Sequence, residues 1–558
     1  MQILDYITII FFAVCIICAG LLFSGRGKTM KNFFSAGGAV PWGMSGLSLF
    51  MGFFSAGTFV VWGSIAYSHG WVAVMIQWTM CIAGLLVGVL AAPRWRRTGV
   101  LTAAEYITER FGVNVQKTYT ILFLFVSLFT TGSFLYPVGK ILEISTGLPL
   151  STCILILGCV SILYVAAGGL RAVVVTDVLQ FLILFSAILI VIPLAFDKIG
   201  GISGFVDAAP EGFFKLTNSE YTWGFMIAFG LYNAVFIGGN WAYVQRYTTV
   251  KSEKDAGKVG LLFSFLYSFS PVLWMLPAMI YRIINPELSG LGDEGAYLLM
   301  CKEVLPAGLL GLMLGGMVFA TASSMNATLN ISAGVFTNDI FYRLFPKTGD
   351  KVLLRVARVS TIVFGVLAIV VALLIPKMGG VVNVVITIGA LTGVPLYLPV
   401  IWSLFSKRMT GKTVLSVTLL SLAVNLFFKF VSPHLLGLSL DRTAEMVLGV
   451  GFPVLCLIVF EIYAAVSRKD ISRYVAYEKI RSEKIAGRSG ESVAETGKVK
   501  EENRFSGRVI GTGIIITGVT IAVLGLINKE GLAIVLGVAL LQMILGSVIF
   551  YLNRKSRR

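Results

Sequence analysis

The sequence predicts an all-α protein that crosses a membrane many times. The chain has 558 residues, of which 57% are hydrophobic and 13% are charged, and its mean hydropathy is +0.87. Soluble proteins average about 25% charged and about 45–50% apolar residues, so this composition excludes a soluble globular chain. Inside a bilayer the hydrogen-bond ladder of a helix satisfies the backbone, and we therefore expect the apolar segments to be helical spans.

Fifteen segments have the length of about 20 predominantly apolar residues that a spanning helix needs. Several exceed 25 residues, which allows helices that are tilted, broken or extended beyond the bilayer. The first has no basic region before it and no cleavage site of small residues, so we interpret it as a retained span. The predicted spans are 3–23, 42–68, 70–92, 118–139, 149–167, 173–195, 222–245, 259–284, 304–339, 354–375, 380–405, 413–431, 443–466, 508–527 and 531–552.

The basic residues orient these spans. With the N-terminus outside, about four fifths of the 45 Lys and Arg fall in loops on the inner side, as the positive-inside rule requires. We therefore predict a multi-pass protein of the cell membrane, inner or plasma, with a cytoplasmic C-terminus. The net charge of +17 then reflects topology, because nucleic-acid binding would need a basic stripe on a soluble face.

One long polar stretch, 467–508, separates the last two spans from the rest of the chain. It mixes Lys, Arg, Glu, Gly and Ser with few aromatic residues, which is typical of a partly disordered or amphipathic cytoplasmic linker. A simple tether is the favoured interpretation over a regulatory or lipid-binding role. The chain offers no soluble catalytic domain and only two histidines, so we expect neither an enzyme nor a zinc site.

Two spans carry small and polar residues in places where an unbroken helix is not expected. Either group alone is compatible with close helix packing. Each group opens a block of five spans, however, and because five is odd a repeat of the block would be inverted. Irregular backbone is tolerated at membrane depth where it lines a cavity, so we predict two broken helices around a polar centre. The groups are Gly52, Ser55, Gly57 and Thr58 in the second span and Gly230, Asn233, Gly238, Gly239 and Asn240 in the seventh.

The ninth span carries two adjacent hydroxyls, Ser323 and Ser324, one turn after Ala320. Sodium is a hard cation that prefers about five or six oxygen ligands. The two hydroxyls and the Ala320 carbonyl would supply three oxygens, and carbonyls freed by a broken helix would supply the others. Hydrogen bonds from these hydroxyls back to their own helix are an equally good interpretation of this segment alone.

Four strings in the sequence form a recognisable set. They run from Tyr164 through Gly168-Gly169-Leu170-Arg171 to Thr176-Asp177 and Gln180, from Phe336 to Phe341, over Gln245-Arg246, and from Met275 to Arg282. Together they resemble the sodium:solute symporter family. The last three look most like its sodium/glucose cotransporter branch.

The resemblance covers about residues 1–466. It implies the LeuT-type fold of two inverted five-helix repeats, with one extra N-terminal helix and about four extra C-terminal helices. The implied division is 1–41 for the extra helix and its loop, 42–195 and 222–405 for the repeats, 406–466 for two accessory helices, 467–507 for the linker and 508–558 for a C-terminal hairpin.

The resemblance also implies a sodium site. Its ligands would be the carbonyls of Met51, Phe54 and Ala320 and the hydroxyls of Ser323 and Ser324, in agreement with the residue-based placement.

Some members bind a second sodium with the aspartate of the first string and with hydroxyls one turn after the serine pair. Here Asp177 is present, but Asn326 and Ala327 stand at the hydroxyl positions, so Asp177 and Asn326 are what remains for a second ion. A buried aspartate costs about 3 kcal/mol on membrane-insertion scales, and pairing with Arg171 is the alternative to an ion.

The expected substrate site combines features of two kinds of family member. Sugar-binding members carry an Asn where this chain has Phe53 and a Lys where it has Tyr267, which argues against a copied hexose site. Sialic-acid members show a Ser-x-x-Thr and a Gln that are similar to residues here. The predicted cavity residues are Ser55, Thr58, Gln77, Asn233, Phe236, Asn240, Trp241 and Tyr267.

The arginine that sialic-acid members use in the fourth span is missing from this sequence. Lys140 is the basic residue near that span, and it either contacts substrate or pairs with Glu143 three residues later.

The sequence thus predicts a sodium-coupled secondary active symporter that imports a small polar organic solute by alternating access. Sugars, polyols and sugar acids are the favoured solutes. A proton-coupled symporter of the same fold is one alternative. A sensor that binds solute without transporting it is another, and it would need the linker as its output module.

Overall fold

A computed structural model describes residues 1–24, 40–100, 102–165, 170–468, 470–488 and 493–554. Within these ranges the chain forms helices joined by short turns. Its main helices are α1 (Ile3–Ser24), α2 (Trp42–Met51), α3 (Gly63–His69), α4 (Trp71–Arg97), α5 (Ala103–Phe111), α6 (Val113–Thr146), α7 (Leu150–Val165), α8 (Leu170–Lys198), α9 (Gly201–Ala208), α10 (Trp223–Gly239), α11 (Trp241–Thr248), α12 (Glu253–Ile284), α13 (Ala296–Val304), α14 (Leu309–Val335), α15 (Asp350–Leu374), α16 (Gly380–Trp402), α17 (Gly411–Leu435), α18 (Arg442–Val466), α19 (Ser472–Arg488), α20 (Val493–Asn528) and α21 (Leu532–Leu552).

The helices follow the order of the predicted spans. Among the described residues, 10 helices are long and apolar enough to cross a membrane, or 11 when α10 and α11 count as one bent span. Helices α1, α7 and α14 add shorter apolar stretches, and α2 and α3 lie where the second span is predicted. The all-α membrane class is confirmed, whereas the number of fifteen spans stays a prediction.

Several helices extend beyond the predicted spans. Helix α20 begins at Val493 rather than near residue 508, and α12 begins at Glu253 rather than near residue 259. Hydropathy detects only the apolar part of a helix, and the added turns are rich in Glu and Lys, which favour helix without being apolar. The linker likewise contains a helix, α19, on one side of residues 489–492, which lie outside the described ranges.

The broken helices lie against long neighbours. Helix α12 packs against α2, α3 and α4, and α10 packs against α4 and α18. Helices α4 and α12 cross at glycines: a Cβ atom on Gly260 would lie 2.5 Å from the Cα atom of Gly88. Such close approach of backbones is how small residues stabilise helix pairs in membranes, and it provides a firm support beside the breaks.

The N-terminal helix determines where α14 begins. The buried carboxylate of Asp5 in α1 accepts hydrogen bonds from the backbone N–H groups of Gly308 (2.7 Å) and Gly311 (3.0 Å). These groups belong to the first turn of α14, where N–H groups have no partner within the helix. Helix α1 therefore anchors the helix that carries the predicted sodium ligands.

We predict that Asp5→Ala destabilises the protein. The substitution would leave two buried N–H donors without an acceptor, and each such loss costs about 1–3 kcal/mol. The thermal unfolding midpoint of the purified protein should fall by several degrees, while Asp207→Ala, which removes an exposed carboxylate from α9, should leave it unchanged. Equal midpoints for Asp5→Ala and the parent protein would contradict this role.

Candidate functional site

The second span is broken where the sequence predicts a break. Helix α2 ends at Met51, residues 52–55 are non-helical, and a π turn (Thr58–Trp62) leads into α3. The Thr58 hydroxyl donates to the Phe53 carbonyl (2.8 Å) and accepts from the Ser55 N–H (3.1 Å). A threonine side chain thus replaces part of the missing backbone ladder, which explains how the interruption is tolerated inside the protein.

A second threonine ties the break to α14. The Ala56 N–H donates to the Oγ1 atom of Thr321 (2.8 Å), and this hydroxyl donates to the Met317 carbonyl of its own helix (2.8 Å). Thr321 is fully buried and directly follows Ala320. The break and the predicted sodium-binding turn are therefore joined by one hydrogen bond.

The described members of the predicted sodium site lie around this junction. Met51 and Ser324 line one cavity, here called cavity one. The Ser324 hydroxyl donates to the Ala320 carbonyl of its own helix at 3.3 Å, which is the alternative that the sequence left open, and the sodium site stays a prediction. Phe54 is buried two residues before Ala56. A hydroxyl that donates to a carbonyl keeps its lone pairs, so the Ser324 and Ala320 oxygens are placed side by side and suit a hard cation.

Two predicted ion ligands have side chains outside the described residues. These are Ser323, of the principal site, and Asn326, of the second site. Their roles stay predictions.

A larger cavity, here called cavity two, lies on the other side of the break. Its volume is about 160 Å³. It gathers six of the eight predicted substrate residues from the second, third, seventh and eighth predicted spans. None of the side chains described around it is charged. The six residues are Ser55, Thr58, Gln77, Asn233, Phe236 and Tyr267.

The polar side chains of cavity two differ in whether they already have a hydrogen-bond partner in the protein. Asn233 donates its Nδ2 hydrogen to the Thr79 hydroxyl (2.9 Å). Gln77 is buried, and its amide faces the cavity with no protein partner among the described side chains. A buried amide in an apolar surrounding needs a hydrogen-bond partner, so Gln77 is suited to bind a polar ligand.

The other two predicted cavity residues, and the separate candidate Lys140, lie elsewhere. Asn240 lines cavity one, where its Oδ1 atom accepts from the Ala242 N–H (3.0 Å) and so caps α11. Trp241 stacks on Phe123 with centroids 4.5 Å apart. Lys140 pairs with Glu143 at 2.9 Å, which is the alternative that the sequence left open. A substrate role for these residues stays a prediction.

An aromatic barrier separates the two cavities. The ring of Tyr243 in α11 contacts Phe53 in a tilted arrangement (4.5 Å between centroids) and lies against Phe236 (5.7 Å), and its hydroxyl lies 3.5 Å from the Gly52 carbonyl. Tyr243, Phe236 and Gly52 line both cavities. The Tyr243 ring therefore lies at the boundary between the two cavities.

The buried carboxylate of Asp177 faces cavity one. It accepts a hydrogen bond from the Ser48 hydroxyl (2.6 Å) and lies 3.9 Å from the Arg246 guanidinium. The side chain of Arg171, the partner considered from the sequence, lies outside the described residues. Arg246 belongs to α11, so this contact joins the first repeat to the second half of the broken seventh span.

Sequence reasoning assigned no role to Thr321, Tyr243 or Ser48. Thr321 and Ser48 are common residues within apolar helices, and nothing in their spacing reveals a partner in another span. A signal existed for Tyr243, because it follows the polar break at Asn240 by three residues and so lies on the first turn of the resumed helix.

Comparisons with known proteins agree with this architecture. The sequence model of the sodium:solute symporter family matches residues 33–420. The sodium/glucose cotransporter of Vibrio parahaemolyticus is 30% identical over 475 residues, which cover 77% of this chain and 86% of that protein. The sodium/sialic acid symporter SiaT of Proteus mirabilis is 26% identical over 380 residues, which cover 65% of this chain and 76% of that protein.

A solved structure supports the fold. A Na⁺-coupled sialic acid symporter in a substrate-bound outward-open state superimposes with a TM-score of 0.69 at 23% identity, over 82% of this chain and 97% of that chain. At this identity the likeness concerns the fold alone, and the LeuT-type architecture is confirmed.

We predict that Thr321→Val weakens sodium binding. Valine keeps the shape of the side chain but leaves the buried Ala56 N–H unpaired, which costs about 1–3 kcal/mol and loosens the break against α14. The sodium concentration for half-maximal thermal stabilisation should rise about tenfold. Thr361→Val removes a hydroxyl that bonds only within α15 and should leave that concentration unchanged; an unchanged value for Thr321→Val would refute the coupling.

Proposed function

The chain belongs to the sodium:solute symporter family, and on that basis we propose that it imports an uncharged polar organic solute together with sodium. The observation that carries the proposal is the position of the break between α2 and α3. One side of the break contributes Met51 to cavity one, and the other contributes Ser55 and Thr58 to cavity two.

This arrangement provides a physical basis for coupling. Sodium held by Met51, Phe54, Ala320, Ser323 and Ser324 would stabilise one geometry of the break, and the same geometry presents Ser55 and Thr58 to the solute. Each ligand then raises the affinity for the other by the same factor. Alternating access follows if cavity one and cavity two open in turn on either side of Tyr243.

The sodium gradient is sufficient for accumulation. One charge that crosses about 100 mV releases about 2.3 kcal/mol, and a tenfold sodium gradient adds about 1.4 kcal/mol. Together these terms support accumulation of several hundredfold for each sodium ion. Because sodium enters the cell down its gradient and the solute moves with it, the direction is import.

The lining of cavity two favours a neutral solute. Sugars, polyols and sugar acids all present hydroxyls that Gln77, Asn233 and Ser55 can bind. A carboxylate in a site shielded from water would need a cation, and the described side chains around cavity two supply none. Aromatic rings there, such as Phe236 and Tyr267, suit the apolar faces of a sugar or cyclic polyol.

The sodium assignment is tested with Ser324→Ala. The loss of one ligand should abolish the stimulation of uptake by sodium in proteoliposomes while leaving expression and folding intact. Ser268→Ala, which removes an exposed hydroxyl bonded only within α12, serves as the matched control. Unchanged sodium dependence in Ser324→Ala rejects the site, and uptake that persists with choline but requires a pH gradient identifies proton coupling instead.

The solute assignment is tested by thermal shift and by Gln77→Leu. Among sugars, polyols, sugar acids and amino acids, a neutral polyhydroxy compound should stabilise the purified protein only when sodium is present. Gln77→Leu should weaken this compound about 10- to 100-fold, because a buried hydrogen bond is lost, whereas Met80→Leu in the same cavity conserves volume and should have little effect. A sugar acid as the best ligand would contradict the neutral class.

A further inference from the structure

The linker helix α19 is anchored on α5 by charged side chains. The Lys484 ammonium contacts the carboxylates of both Glu105 and Glu109, the latter at 2.7 Å. Burial alone would lower the pKa of Lys484, but the hydrogen bonds to these two carboxylates raise it above its ordinary value. The lysine therefore stays charged, and one cation bridges two acidic residues on successive turns of α5.

Aromatic contacts extend the same interface toward the start of α19. The ring of Tyr477, which is 5% exposed, meets Tyr106 edge to face at 5.8 Å. The Arg110 guanidinium lies over the ring of Tyr474 at 4.9 Å, and Arg473 donates to the Phe111 carbonyl at 3.2 Å. The contacting residues of α19 recur at helical spacing, so one face of the helix is docked along its length.

Helix α5 in turn holds the inner ends of other helices. The hydroxyls of Tyr106 and Ser403 lie 2.9 Å apart, and Arg110 donates to the Lys407 carbonyl at 3.2 Å, just beyond the end of α16. Burial raises the pKa of Tyr106 to about 12, so its hydroxyl keeps its proton. Helix α5 also packs against α11, the half-helix that carries Tyr243 and Arg246.

We propose that α19 is an inner latch: Lys484 acts as a positioning residue that holds α19 on α5, and α5, which packs against α11, is thereby restrained so that α11 limits access to cavity one. The inference rests on alternating access from the proposed function, because opening cavity one to the cytoplasm requires α11 to move relative to α5 and α16. The docked α19 opposes that movement, and its release precedes opening.

The latch is suited to reversible release. The side chains of Lys484, Glu105 and Glu109 are 23%, 32% and 18% exposed, so their attraction is partly screened by salt. Partly exposed ion pairs contribute little to stability. We therefore expect the loss of these contacts to change the ratio of closed to open states about threefold. Such a contact biases the cycle without blocking it.

The test measures access to cavity one without requiring transport. Ala242 lines cavity one but not cavity two, so a cysteine introduced by Ala242→Cys reports opening through its rate of reaction with a bulky polar maleimide. Because the native cysteines are retained, the labelling rate of the protein without Ala242→Cys is subtracted from each measurement. Measured on purified protein in detergent at one fixed sodium concentration, it requires neither transport nor a membrane orientation, so failure of the proposed symport would leave the readout intact.

Adding Lys484→Glu should raise the labelling rate at residue 242 about threefold, and 1 M salt should move the parent in the same direction. Lys479→Glu, on an exposed turn of α19, should not change the rate. The triple variant Glu105→Lys, Glu109→Lys, Lys484→Glu restores opposite charges and should return the rate to that of the parent. Equal rates for Lys484→Glu and the parent, or faster labelling of every native cysteine with a lowered unfolding midpoint, would overturn the latch.

Discussion

The organisation of this protein depends on how the interrupted second span satisfies its backbone in a medium without water. An unpaired N–H or carbonyl costs several kcal/mol in hydrocarbon, so a helix can break only where other groups replace its ladder. Two threonine hydroxyls do so here: Thr58 bonds to Phe53 and Ser55 within the break, and Thr321 accepts from Ala56 across the helix interface. The break is therefore a defined structure and not a loose segment.

Because Thr321 belongs to α14, the break cannot be positioned independently of that helix. Helix α14 is in turn capped by Asp5 of α1, an element outside both repeats. The seventh span resolves the same problem differently, since Asn240 both ends α10 and caps α11 at a bend of 60°. The two interruptions place cavity one and cavity two next to each other, and Tyr243 lines both.

Charge is arranged around this centre according to the cost of burying it. Asp177 and Arg246 are buried and lie near each other with the Ser48 hydroxyl, whereas Lys484, Glu105 and Glu109 of α19 and α5 lie outside the apolar spans and are partly exposed. The buried pair of Asp177 and Arg246 is screened little by salt, so it is suited to a contact that stays formed. The contacts of Lys484 with Glu105 and Glu109 are weak enough to be made and broken during a transport cycle.

The sequence by itself determined the membrane class, the order of the helices, the positions of both breaks and six residues of cavity two. These follow from local properties of the sequence: the length of its apolar segments, their glycine and hydroxyl content, and the strings that resemble the family. Tertiary structure alone decided that Trp241 packs on Phe123 and that Thr321 supports the break. For Lys140 the structure shows the pairing with Glu143 that the sequence had offered as one of two alternatives. A hydrogen bond between residues 265 positions apart leaves no periodic mark in the sequence, because it depends on which faces of two distant helices meet.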